Sequence, residues 1–306
     1  MSMSGPRLQC RPRGFTLIEL VVVIMLTGIV AAMAAVFLVR PIQGFVDLGR
    51  RAELVDAAES ALRRMTRDIR LAAPNSVRVT NVGSGFALEL LPVVDGARYA
   101  TGEASPCENL TGFDPAAADD NFDILGTFGT LPTGTPAGHR LLIDNRGTGT
   151  THDVYADGVS PSPAAPLVIT PVGTTITIAS NPVAGCPANG KHHITLSAAH
   201  QFRSGSPRAR VFVVTTPVSY LCDPGAGALV RYADYPIQAV QPTTAAALNA
   251  LAGVTSARVA DNLELCTFST STTQIRYRGL VTLTLTLHDQ GERIRLVQQA
   301  QLDNSR

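Results

Sequence analysis

Residues 11–41 read RPRGFTLIELVVVIMLTGIVAAMAAVFLVRP, and the glutamate in this stretch, Glu19, needs a reason. From Leu20 to Val39 twenty residues pass without a formal charge. As a helix they span about 30 Å, the thickness of a bilayer's hydrocarbon core. Polar content in the run is confined to Thr27 and the small residue Gly28. A carboxylate at the entrance of such a run is costly unless it reaches the headgroups or finds a counter-charge. A cleaved signal peptide would explain the basic start, and Ala32-Met33-Ala34 resembles its cleavage site. The apolar stretch is too long for that class, and the glutamate is out of place in it. A plain signal anchor fits the length, but arginines flank both ends (Arg7, Arg11 and Arg13 before, Arg40, Arg50 and Arg51 after) and set no orientation.

The rest of the chain bounds the answer. Its 306 residues are 45% hydrophobic and 16% charged, which excludes a disordered protein and allows a substantial core. The formal net charge is +1, and removing the three arginines before Phe15 leaves −2. A body so close to neutral gives no electrostatic reason to bind nucleic acid. Of five cysteines, Cys10 precedes the apolar run, while Cys107, Cys186, Cys222 and Cys266 are dispersed beyond it. Four dispersed cysteines in an exported segment suggest two disulfides, with three pairings open. Buried free thiols are the alternative.

The junction Gly14-Phe15-Thr16-Leu17-Ile18-Glu19, after a short basic leader, resembles the processing signature of type IV prepilins and pseudopilins. That resemblance implies cleavage between Gly14 and Phe15 by a membrane aspartic peptidase, then N-methylation of the new Phe15 amine. The apolar tract would stay on the mature chain. It also implies a partner for Glu19: the amine of a neighbouring subunit, paired inside a helix bundle and setting register as a filament grows. Without a partner, Glu19 would be a helix-end carboxylate reaching back to the headgroups.

Beyond the tract, Pro41 interrupts or kinks the helix, and Gly44 and Gly49 loosen it. In DLGRRAELVDAAESALRRMTRDIRLAAP, Leu48, Val55, Leu62 and Ile69 recur every seven residues, with Ala52, Ala58, Met65 and Ala72 beside them. This is one apolar stripe at helical period, with Arg, Glu and Asp opposite. Asp47 or a neighbour is expected to cap it, and Pro74 to stop it. A stripe of this kind needs a globular surface to lie against. A coiled-coil dimer is disfavoured by the small alanines and scarce flanking charge pairs.

After Pro74, short β-rich runs alternate with turns. SVRVTNV and FALELLPVV, separated by Gly83-Ser84-Gly85, read as a hairpin. Further strands are expected at 140–144, 166–170, 174–180, 193–197, 209–222, 228–235, 274–289 and 292–302, with a short helix at 244–254. The last two strands flank Gln290-Gly291 and should form a long antiparallel pair. Loops rich in Gly, Pro, Ala and Asp fill 100–138 and 145–165, and no linker divides 75–306. The expected class is α+β: a leader at 1–14, an apolar helix at 15–40, its amphipathic continuation at 41–74, and an antiparallel β-rich head at 75–306. VSYLCDPGAGALVRYADY resembles the C-terminal half of the larger minor pseudopilins, the group with the general-secretion J-type and PilW-type proteins. The stalk and first hairpin resemble most the MshO-type proteins of mannose-sensitive haemagglutinin (MSHA) pilus biogenesis.

Catalytic and cofactor motifs are missing. There is no phosphate loop, no G-x-S-x-G and no H-E-x-x-H, and NRGTGTTHD lacks the frame of a dinucleotide site. His192, His193 and His200, with Cys186 upstream, fit no zinc spacing and read as exposed strand-edge histidines. DPAAADDNFD offers Asp114, Asp119, Asp120 and Asp123 as calcium candidates without the helix-flanked calcium-loop spacing, so a solvated acidic loop is the default. The sequence therefore reads as a structural protein without cofactor or enzymatic activity. The resemblance implies pilins, pseudopilins, a prepilin peptidase and membrane lipid as partners, and a single pass of a bacterial inner membrane with the head in the periplasm.

Overall fold

The computed structural model describes residues 14–101, 112–115, 117–162, 165–180, 191–270 and 279–302, and of residues 38–41 the backbone alone. It is α+β: one long N-terminal helix followed by antiparallel sheets. Helix α1, Leu17–Arg70, runs unbroken through Pro41, Gly44 and Gly49. Residues up to Ala52 form one compact unit and those from Glu53 onward another. The last turns of α1 therefore belong to the globular unit.

Among the described residues, two short helices, α2 (Val154–Gly158) and α3 (Ala245–Asn249), accompany fourteen strands. Strands β1 (Arg78–Val82), β2 (Gly85–Leu90), β9 (Val218–Asp223), β10 (Ala228–Ala233) and β11 (Thr255–Ala260) lie in that order in a five-stranded sheet. Strands β12 (Leu263–Thr270), β13 (Leu280–Asp289) and β14 (Glu292–Gln301) form a second sheet. Two smaller sheets hold β3 (Val93–Arg98), β8 (Arg210–Val214) and β5 (Arg140–Leu142), and β4 (Asp119–Asp123), β7 (His192–His200) and β6 (Ile176–Ser180).

The main core joins α1 to the two larger sheets. Leu54, Ala58, Leu62, Met65 and Ile69 of α1 cluster with Leu88, Tyr220, Leu229, Phe268, Leu283 and Leu285. The buried stripe starts at Leu54: Leu48 is 70% exposed and Val55 half-buried, so the heptad drawn from sequence begins too early. Asp47 caps nothing, since it lies inside α1 and pairs with Arg50 at 3.2 Å. At the far end Asp68 accepts from the Tyr220 hydroxyl and from Arg231 Nε, both at 2.8 Å, fastening α1 to β9 and β10. Burial, then the Asp68 carboxylate, pushes the Tyr220 hydroxyl up.

A second fastening is buried in the five-stranded sheet. Arg78 and Glu89 stand opposite each other across β1 and β2, with Arg78 Nε 2.6 Å from the carboxylate. Arg78 also donates to the carbonyls of Gln238 and Ala239 and lies over the Tyr155 ring. Tyr235 donates to the other Glu89 oxygen. Burial pushes the Glu89 carboxyl up, against the downward pull of Arg78 and Tyr235.

The last hairpin pairs from Leu280↔Gln301 to Asp289↔Glu292 without a slip. Its turn residues have φ 44° at Gln290 and 96° at Gly291, the two positive values a tight two-residue turn requires. At the β1–β2 turn, a Cβ on Gly85 would lie 2.2 Å from the Cys222 carbonyl oxygen, so β9 can pack there only against glycine. The expected strand at 209–222 is two strands in different sheets, broken at Pro217, which has no amide donor. Residues 166–170 make isolated bridges only, through Leu167 and Ile169. The supposed loops contain structure: β4 lies inside 100–138 and α2 inside 145–165.

Candidate functional site

The N-terminal end of α1 carries the candidate assembly residues. Thr16 is its cap: its hydroxyl accepts from the Glu19 amide at 3.3 Å, and its carbonyl accepts from the Leu20 amide at 3.1 Å. Thr16-Leu17-Ile18-Glu19 thus has the spacing of a capping box, in which an acidic residue in the first turn also favours the helix dipole. The capping role of Thr16 was readable from that spacing and is missing from the sequence reading. Gly14 and Phe15 precede the helix and are exposed, Phe15 by 82%. The bond between them is therefore outside the hydrogen-bonded turns. The Glu19 carboxylate has no hydrogen bond or ion pair among the described residues.

From Leu17 to Phe37 every side chain of α1 is exposed. By length and composition this part can cross a membrane. Thr27 turns its hydroxyl back onto the carbonyls of Val23 (2.7 Å) and Ile24 (3.1 Å), which hides the polar group of the tract from an apolar surrounding.

The remaining candidates lie apart from this end of the helix. Cys222 in β9 and Cys266 in β12 are joined by a disulfide across a Cα–Cα distance of 6.5 Å, linking the two larger sheets within the main core. Cys107 and Cys186 lie outside the described residues. The calcium candidates are on a strand and not in a loop. Asp119 accepts from the Asn121 amide, Asp120 accepts from the Asn121 side-chain amide, and Asp123 is buried with His193 Nδ1 at 2.8 Å. The register of β4 against β7 shifts between Asp119 and Asn121, so Asp120 stands opposite no residue of β7. Asp114 precedes this strand.

The histidines are not strand-edge residues. His192, His193 and His200 belong to β7, which is paired on both sides, and His192 and His200 are buried. His192 Nδ1 accepts from the Phe128 amide, and His200 packs edge-on to Phe202. The covering of His192 by Phe128 comes from a residue 64 positions away, which local spacing does not reveal. No group of three or more His, Cys, Asp or Glu placed to hold a metal occurs among the described residues.

Residues 10–35 match the family model described as the prokaryotic N-terminal methylation motif. No curated protein and no solved structure matches the chain. The matched motif and the exposed apolar helix that it opens support a type IV prepilin-like chain, consistent with a single-pass membrane anchor.

Proposed function

We propose that the chain is a minor pseudopilin: inserted in a bacterial inner membrane with its head in the periplasm, cut after Gly14 by a prepilin peptidase, methylated at Phe15, and joined through α1 to other pilins and pseudopilins. The carrying observation is the helix start, where a methylation motif meets an accessible Gly14–Phe15 bond and a Glu19 carboxylate with no partner among the described residues. A new Phe15 amine on one subunit supplies the counter-charge that Glu19 of the next requires inside an apolar bundle. A head spanning 75–306 crowds a repeating lattice of helices but is tolerated at a tip. The role is therefore the start or cap of a filament, in few copies, of the MSHA type to which the stalk has its resemblance. Type II secretion is the alternative system, and a tip-borne binding role is compatible with either. The chain acts as a structural subunit, not as an enzyme.

Mass spectrometry of the mature N-terminus tests this reading. A methylated phenylalanine at position 15 is expected. A mature chain beginning near Ala35 would overturn it, because the tract and Glu19 would then be lost.

A further inference from the structure

Among the described residues, half-buried and buried arginines have oxygen partners. Arg50 meets Asp47, Arg78 meets Glu89, Arg231 meets Asp68, and Arg140 donates to the carbonyls of Thr170 and Gly158. Arg210 is the exception: it is half-buried, and its guanidinium has no hydrogen bond or ion pair among the described residues. It also stands directly opposite Arg98 in the β3–β8 register. Like charges placed opposite each other across two strands are destabilising. Arg98 is exposed and likewise has no carboxylate among the described residues. Two cations side by side on one sheet face, one of them partly withdrawn from water, call for an anion.

There is room for one. Arg210 lines a cavity of about 280 Å³ within the globular unit. Phe212 lines it from the same strand, and Asn75, Asp144, Ser206 and Arg208 contribute from the surrounding loops. Asp144 does not supply the missing counter-charge, because its carboxylate already accepts from Arg146 and Ser204. Its own charge is thereby offset, which lowers its opposition to an anionic guest. The volume lies just below the usual range of ligand pockets, about 300–1,000 Å³, and so suits a single small ring. An arginine fork recognises a planar carboxylate through two parallel hydrogen bonds. The Phe212 ring offers an apolar face, and the Ser206 hydroxyl suits a hydroxyl group of the guest.

We propose that this cavity binds the carboxylate of an acidic sugar, with Arg210 as the anion-recognising residue, Arg98 opposite it in the strand register adding positive charge from outside the lining, and Phe212 as the surface under the ring. The inference goes beyond filament assembly and does not rest on it, since it uses residues of the globular unit alone.

The test is calorimetric titration of the full chain in detergent with glucuronate, with glucose and inorganic phosphate as separate arms. Saturable glucuronate binding that weakens with added salt is expected, with glucose and phosphate binding less tightly. Arg210→Gln should weaken glucuronate by about ten-fold or more, the scale of a charge-assisted hydrogen bond. Arg98→Gln, at an exposed position that cannot disturb the core, should weaken it in the same direction. Arg295→Gln makes the same change of net charge on distant β14 and should leave binding unchanged. Absence of saturation, equal binding of glucose, tighter binding of phosphate, or equal effects of the Arg210 and Arg295 substitutions would each overturn the proposal.

Discussion

Two acidic residues show how burial decides what a charge does. Glu19 sits on an exposed helix end, where its carboxylate has no hydrogen bond or ion pair among the described residues. Glu19→Ala should leave leader removal intact and reduce co-purification with partner pseudopilins; unchanged recovery of partners would refute the docking role. Glu89 is the opposite case, fully buried and held by Arg78 and Tyr235. Replacing Arg78 by Met removes the counter-charge and should cost about 3–5 kcal/mol, read from urea unfolding at neutral pH. The deficit should shrink on acidification. Glu89 already titrates above its ordinary value, and without Arg78 it would titrate higher still. A carboxyl raised by folding contributes stability that is whole below its unfolded pKa and is lost as pH climbs through the folded one. The variant therefore loses more than the native chain between acidic and neutral pH, and a deficit that grows toward acid would contradict this account.

Among the elements, α1 divides sharply. Met65 and Ile69 are fully buried against the sheets, whereas Leu48 is exposed. Met65→Ala should destabilise the globular unit by about 2–5 kcal/mol, while Leu48→Ala should change it by less than about 0.5 kcal/mol. Matching urea midpoints for the two variants would show that the packed stripe has been misplaced. The helix as a whole was legible from its residues, because twenty uncharged positions followed by a stripe at helical period leave few other folds. Its first buried position was not, since a heptad gives the period of a stripe but not where the sheet beneath it begins. Hairpins with strong turn signals, such as Gln290-Gly291, were legible too. Strand β4, reading Asp-Asp-Asn-Phe-Asp, was not: its residues disfavour strands, and only pairing with β7 places them in one. The long run at 209–222 misled for the converse reason, because its composition stays β-rich across Pro217 while the chain changes sheets. At the candidate site, the junction and Glu19 were visible in sequence. The Arg98–Arg210 juxtaposition was invisible, because a strand register joins residues over a hundred positions apart.

At the scale of the whole molecule, the disulfide counts most. Cys222 and Cys266 close a loop of 44 residues, which by chain entropy is worth about 4 kcal/mol of stability. Replacing both cysteines by serine, or reducing the native chain, should lower the urea midpoint accordingly; no change on reduction would show that the link carries no stability. The bond has a consequence for cell biology as well. Thiols oxidise stably outside the cytosol and stay reduced within it. Each molecule thus keeps a chemical record of which side of the membrane its C-terminal part has visited. Non-reducing peptide maps should contain the cross-linked pair in chains that have translocated, and two separate thiol peptides in chains held back by an export block.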